Sequence, residues 1–508
     1  MNTKQNETIM ALSKNFEKWW DSFTPLFYFD SESLILYDTG TNKTLVCSEA
    51  EGVLLDILQK EGKKACIDYL GRNQQFLGAA QSIQQMVESH GILKLDPSKI
   101  IFEFDGIKQI DHNILHQQNS ITLEITESCN LRCHYCIYNS HSEEMRAHGM
   151  GRMNLETATA AIDLLYANSK TSDPVSIGFY GGEPLLAFDL IHEIVRYAES
   201  RFESPQFIMT TNATLLNSDI IDFLVSHEFR LLISIDGPKN IHDEHRVDIR
   251  GKGSFDTAIK NLHLLYEEYR IKKMLKYIAI NMVISPPYTL DRFREFVSLW
   301  QEYPWLNEIN ASSSYVDFQY NPKNIHFTKH DRVDYYDLFE EDYWQNNGSE
   351  TPIRPLSVKT IINRYGKLFK RLITDNPVER NHPNGCCVPG VRKLYVRCNG
   401  SIQVCDKMPS NAPIIGNVFS GIDTDKITAL YINKYIDHIN QTCNTCWANR
   451  LCSLCYIQGF GCGEWEISKR EEICKLEREK NARWIRSYNL KLLKDNTAFD
   501  FLNDIHFK

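Results

Sequence analysis

No run of about eighteen or more consecutive apolar residues occurs in the 508-residue chain, so nothing in it has the length to cross a bilayer as a helix. The opening segment MNTKQNETIMALSKNFEKWW lacks the basic stretch, apolar run and small-residue cleavage site of an export signal, so a cytoplasmic protein is expected. Long Lys/Arg blocks are missing too, and 56 basic against 65 acidic residues leave a formal net charge of -9. Nucleic acid is therefore not expected as a partner, although a local basic groove stays open. No internal repeat is visible. What remains is 43% hydrophobic and 24% charged, too apolar for a disordered chain and too long for a single core, so a soluble assembly of several modules is expected.

Cysteine, by contrast, is plentiful: fifteen in all, ten of them between Cys386 and Cys474. In a reducing compartment, clustered thiols are more naturally metal ligands than disulfides. Cys47 and Cys66 stand apart in apolar strand and helix patterns and read as buried free thiols.

Residues 24–95 read as short strands followed by helices. FYF, LILY and TLVC are separated by turn-like DSES and DTGTNK; Ser48 and Glu51 form a capping box ahead of VLLDIL, and further helical stretches lie around KKACIDYL and AAQSIQQMVE. A hairpin plus helices is a winged-helix-like pattern. Nine acidic against six basic residues in this stretch match DNA poorly, which leaves peptide binding or a structural cap. Residues 96–120 read as an irregular linker. From 121 to 315, the strand-like runs ITLEIT, SIGFYG, FIMTTN, LLISID, IAINMVI and EINASSS alternate with amphipathic helical stretches. Serial β-α units predict an α/β fold, a parallel sheet curled into a partial (β/α)6 TIM-like barrel with its functional loops at the carboxyl ends of the strands. Residues 316–385 read as a helical connector, 386–475 as a cysteine-rich module and 476–508 as a C-terminal helix.

Directly after the first barrel strand stands CNLRCHYC, which is Cys129-x3-Cys133-x2-Cys136. Thiolates so spaced on one tight loop hold all but one iron of a cubane and leave the last open to chelate a substrate. A partial zinc site is the alternative, but structural zinc takes a full protein ligand set, and only His134 and His141 stand near. Downstream come FYGGEP, with Gly181, Gly182 and Glu183; TTNATLL, with Asn212; LLISIDGP, with Ser234 and Asp236; and HDEHR, with Arg246. Taken singly, each is ordinary strand-end turn chemistry. In this order on a serial β-α chain, they resemble the radical S-adenosylmethionine (SAM) enzymes. The resemblance implies a SAM-binding [4Fe-4S] cluster on Cys129, Cys133 and Cys136. It also implies SAM contacts from Gly181, Gly182, Glu183 (to the ammonium), Asn212, Ser234, Asp236 and Arg246 (to the carboxylate), with Tyr135 packed near the adenine.

The module from Cys387 through Gly400, Cys405, Cys443-x2-Cys446, Cys452-x2-Cys455 and Cys474 resembles the SPASM extension, which carries auxiliary iron–sulfur clusters. By that resemblance Cys443, Cys446, Cys452 and Cys474 hold an outer cluster, and Cys387, Cys405 and Cys455 an inner one. The spacing of Cys452 and Cys455 departs from the family pattern, so Cys462 stays open in place of Cys455, Cys386 in place of Cys387, and Cys398 as a further inner ligand. A pair of zinc knots is the alternative. Asp406 stands where sulfatase-maturing relatives carry a proton acceptor; a solvent-facing or strand-end Asp is the plainer reading.

Together the resemblances imply a radical SAM maturase. It would take a ribosomally made precursor peptide by its leader at residues 24–95, draw electrons from a flavodoxin or ferredoxin, and form thioether crosslinks from cysteine. Formylglycine formation on a sulfatase is the alternative within enzymes, and a zinc-bearing scaffold or electron carrier the alternative outside them.

Overall fold

Two short apolar runs flanking the DSES turn pair as an antiparallel hairpin, β1 (Phe27–Asp30) and β2 (Ile35–Asp38), and β3 (Thr44–Val46) adds to β2. The computed structural model describes residues 7, 10–12, 14–15, 23–138, 145–169, 174–316, 333–346, 353–461 and 464–505. Helix α1 (Glu49–Arg72) starts on the capping box: Ser48 Oγ accepts from Glu51 N at 3.3 Å, and Ser48 N donates to Glu51 Oε2 at 2.7 Å. The two helical runs read from the sequence are one element here, bent where Gly62 adopts φ 84°, a conformation open to glycine without steric cost. Helix α2 (Leu77–His90) completes the layer over the hairpin.

The N-terminal domain is built into the molecule rather than hung from it. Successive side chains of a strand face opposite ways. Leu36 joins the domain's own core, while Ile35 and Tyr37 enter a second core with Tyr343, Ile361, Tyr365, Leu451, Ile485 and Tyr488. Arg486 pairs with Asp30, Thr39 Oγ1 donates to the Trp447 carbonyl at 2.8 Å, and Tyr28 stacks on Trp447 at 4.4 Å. Each fully buried side chain of this kind contributes about 1.5–3 kcal/mol, so excising the domain strips a core.

Residues 96–120 carry more order than an irregular linker: β4 (Ile101–Phe102) pairs with β11 (Arg380–Asn381), and α3 (Ile110–His116) packs beside the barrel. The partners lie far along the chain and leave no local trace.

The central strands are β5 (Ser120–Thr126), β6 (Ser176–Gly181), β7 (Gln206–Thr211), β8 (Arg230–Ser234), β9 (Ile278–Ile284) and β10 (Asn310–Tyr315). They pair in parallel with their chain neighbours, and the crossovers are the helices the periodicity calls for, among them α4 (Leu155–Asn168), capped by Asn154, and α5 (Phe188–Arg201). The sheet does not stop at β5. β12 (Lys393–Val396) pairs with β5 in parallel and β13 (Ile402–Gln403) follows it antiparallel, giving eight strands. The cysteine-rich segment thus begins as part of the barrel sheet, and Leu394, Val396 and Ile402 share its core. Helix α6 (Arg354–Phe369) lies in the connector, and α7 (Ile467–Lys494) starts inside the cysteine-rich module, before residue 476, because its apolar and cysteine positions pack there.

Candidate cofactor cavity and cysteine groups

A cavity of about 380 Å³ opens at the carboxyl ends of all six barrel strands, within the range of small-molecule sites. Cys129, Cys133 and Cys136 line one wall; Gly181, Gly182, Glu183, Asn212, Ser234 and Arg246 line others, with Tyr135. The cysteine loop is held on two sides. Arg132 N donates to the Val247 carbonyl at 2.7 Å and His134 N to the His245 carbonyl at 3.0 Å, while Gly182 N and Glu183 N donate to the carbonyls of Thr126 and Ser128 at 2.8 and 2.9 Å.

That packing changes the meaning of the two glycines. A Cβ on Gly182 would stand 2.0 Å from the Ser128 carbonyl oxygen, and one on Gly181, at φ 130°, would stand 2.2 Å from that of Thr126. What approaches closely is the cysteine loop's own backbone. Gly182→Ala is therefore expected to displace the loop, at about 1–3 kcal/mol of overpacking, and to cost iron at this site, read as Tm and iron content after anaerobic reconstitution.

Glu183 is buried at the cavity edge. Thr211 Oγ1 and Leu185 N donate to its Oε1 at 2.7 and 3.2 Å, and Asn212 N donates to Oε2 at 2.8 Å. Burial raises its carboxyl above the ordinary range, and these donors hold it back. Asn212 is committed on both ends, donating to Asn130 and accepting from Thr214.

Asp236 does not line the cavity. Its carboxylate accepts from Tyr135 Oη, from Arg246 Nε at 2.9 Å and from Val283 N at 3.0 Å, so this expected SAM contact stands behind Tyr135 and Arg246 as their support. The side chain lies under the ring and guanidinium because the strand-end Asp points back into the sheet. Burial alone would lower the Arg246 pKa, but Asp236, Tyr135 and Cys133 overcome it and raise it. The guanidinium sits 4.0 Å from Cys133 Sγ and 5.6 Å from the centre of the Tyr135 ring. His242, pushed down to about 4 by burial, stays neutral and bonds Ser254 Oγ; it braces this segment.

Burial pushes the thiols of Cys129 and Cys133 up to about 11 and 12, so metal binding here releases protons. A soft three-thiol wall beside a buried, fixed guanidinium fits a cluster with one open iron and an anionic ligand.

The C-terminal thiols divide into two groups. Cys443, Cys446, Cys452 and Cys474 line one chamber together with Arg470 and Arg478. Arg470 is 2% exposed, its Nε has no hydrogen-bond partner among the described residues, and its Nη1 donates to the Cys455 carbonyl at 2.8 Å. A buried cation with a free donor facing four thiols fits an anionic thiolate cluster. Cys387 Sγ lies 3.9 Å from Tyr456 Oη, and Cys386, Cys405 and Cys455 are close enough that their charges act on the same hydroxyl. Cys398 leaves them: its Sγ donates to the Glu124 carbonyl at 3.0 Å, because β12 carries it to the barrel strand β5. Cys462 and His141 lie outside the described residues. Among the described residues no three His, Cys, Asp or Glu converge closely enough for a single ion; a cubane, several atoms wide, spaces its thiolates more widely. Asp406 does not line the cavity. Burial opposes its ionisation, but paired Lys393 prevails and holds the carboxyl below its usual value, which makes it a weaker base.

Sequence reasoning passed over the cavity residues Tyr138, Tyr180, Asn281 and Tyr315. Asn281 and Tyr315 sit on the last two barrel strands, where a polar or aromatic residue near a strand's carboxyl end is the available signal. Tyr138 and Tyr180 pack with Tyr395 of β12, and Arg146 lies 4.0 Å over Tyr138 while pairing with Glu124 at 2.6 Å.

Residues 123–299 match the Radical SAM superfamily. The chain is 27% identical over 343 residues, 64% of its length, to a cysteine-type anaerobic sulfatase-maturating enzyme of Clostridium novyi (strain NT), spanning 84% of that protein. The solved structure of native anSMEcpe with bound AdoMet superposes with a TM-score of 0.53 at 18% identity, covering 76% of this chain and all of that one. A second structure of anSMEcpe, with bound AdoMet and Kp18Cys peptide, gives a TM-score of 0.51 at 18% identity over 76% of this chain and 99% of that one.

Proposed function

Because the chain carries a radical SAM domain, we propose that it is a peptide maturase that forms thioether crosslinks in a ribosomally made, cysteine-containing peptide. The observation that carries this reading is one cavity at the strand ends lined by Cys129, Cys133, Cys136, Glu183, Ser234 and Arg246, accompanied by two further thiol groups in the C-terminal module. When bound, the cluster on Cys129, Cys133 and Cys136 and its SAM supply a 5′-deoxyadenosyl radical, which takes hydrogen from the peptide. The chain's own residues orient and shield. Arg246, fixed by Asp236, presents its guanidinium to an anionic group; Glu183 presents its carboxylate to a cationic one; Tyr135 and Tyr138 wall the cavity from water.

Formylglycine formation is the second reading, favoured by the Clostridium novyi relative. Against it stands the length of this chain: 76% of it covers the whole of anSMEcpe, so about a quarter of the chain has no counterpart there. Mass analysis of a candidate Cys-containing peptide, treated with reconstituted enzyme, SAM and reductant, separates the two. A thioether retains the sulfur, loses two hydrogens and blocks alkylation; formylglycine loses the sulfur.

The N-terminal sheet supplies a leader-docking edge. Among the described residues no strand pairs with the outer side of β3, where Val46 is 54% exposed. Cys47 N donates to the Leu34 carbonyl at 2.8 Å, and antiparallel alternation turns the Val46 N–H outward, toward an added strand. Val46→Pro is expected to weaken peptide binding about tenfold with Tm unchanged, measured by fluorescence anisotropy of labelled full-length peptide. Undiminished binding would return residues 24–95 to a structural cap.

A further inference from the structure

A groove of about 950 Å³ runs between α6, the segment after residue 378 and the turn following β2. Among the described residues its walls carry Lys359, Lys367, Lys370, Arg371, Arg380 and Arg450, and no Asp or Glu. In a chain of net charge -9 this is a local reversal. Arg380 pairs with Glu103 at 2.9 Å. The other five make no ion pair among the described residues, and four of them donate to backbone carbonyls: Lys367 to Leu451 and Cys452 at 3.0 and 2.5 Å, Lys370 to Asn503 at 3.3 Å, Arg371 to Asn42 at 2.8 Å, and Arg450 to Gly40 at 2.6 Å. Carbonyls fix these cations without neutralising them.

The groove backs directly onto the outer thiol chamber. Asn384 lines both, and the ammonium of Lys367 sits on the carbonyl of Cys452, one of the chamber's four cysteines. It shares no lining residue with the strand-end cavity, where a substrate must arrive.

We propose that this groove docks the acidic face of a one-electron carrier protein, which exchanges electrons with a cluster held by Cys443, Cys446, Cys452 and Cys474. The inference rests on the reading of those thiols as cluster ligands. The reduced carrier gives up one electron and is oxidised by one; the cluster is reduced by one; no bond forms or breaks and no atom moves between them. A groove rich in fixed cations suits a small, electrostatically steered, short-lived redox complex. An acidic stretch of substrate would be better served beside the cavity.

The test mixes anaerobically reconstituted holoenzyme with reduced flavodoxin and follows carrier oxidation by stopped flow, comparing the native chain with Lys359→Glu/Lys370→Glu. Both lysines are exposed, so the variant keeps the core. The second-order rate constant is expected to fall on the order of tenfold or more at low ionic strength, and the difference to close at high salt. Iron content and photochemical reduction by deazaflavin should match the native protein. Equal rates for the two, at full iron content, overturn the docking site. So does a raised KM for peptide with the carrier rate unchanged, which would assign the groove to an acidic peptide segment. If Cys443→Ala/Cys446→Ala removes no iron, the cluster reading itself fails, an outcome read separately from the charge reversal.

Discussion

Replacing Cys129, Cys133 and Cys136 together with Ala is expected to abolish 5′-deoxyadenosine formation while the C-terminal thiols keep their iron. The three side chains share one wall of the strand-end cavity and lie apart from both C-terminal groups. Their removal takes away every thiol donor in the cavity, and neither Glu183 nor Asp236 is free to replace them, each already accepting three hydrogen bonds. Iron should fall from about twelve per chain to about eight, one cubane's worth, measured with product formation by chromatography in the same preparations. Persistent 5′-deoxyadenosine, or loss of all iron, would contradict the assignment.

The second large effect concerns the outer chamber. Cys443→Ala/Cys446→Ala should cost about four irons and reduce peptide modification by about a hundredfold or more, since product formation releases an electron that needs an acceptor. Uncoupled SAM cleavage driven by a small chemical reductant such as dithionite should continue, because the strand-end cavity shares no residue with the chamber. Arg470 sharpens the expectation. A buried guanidinium left facing an empty thiol site is an uncompensated charge, costing on the order of 3–5 kcal/mol, so a lowered Tm should accompany the lost iron. A native protein that binds stoichiometric zinc here and never exceeds about four irons would instead make these thiols zinc knots.

Local patterning determined the barrel. Local runs name β5 to β10 and the first four crossover helices to within a residue or two, since each pattern is written in the segment that folds; the helix between β9 and β10 (Leu290–Glu302) goes unread. The Ser48/Glu51 capping box is equally local. So is the chemistry of the Cys129 loop, where the spacing itself groups the thiols. Tertiary structure decided what depends on distant partners. β12 is a four-residue run whose reason for being a strand is the free edge of β5, and that pairing draws Cys398 away from the other C-terminal thiols. Asp236 reads as a strand-end contact and stands as the buried counter-ion of Arg246; Gly182 lines the cavity and also leaves room for the Ser128 carbonyl. The basic groove joins residues from five stretches between Asn42 and Ile505; one sign of charge is already legible in residues 354–371, which carry basic residues and no acidic one, but only the fold sets Arg380 and Arg450 beside them. Periodicity reports which face of an element is buried, but only the packed fold decides what is buried against it.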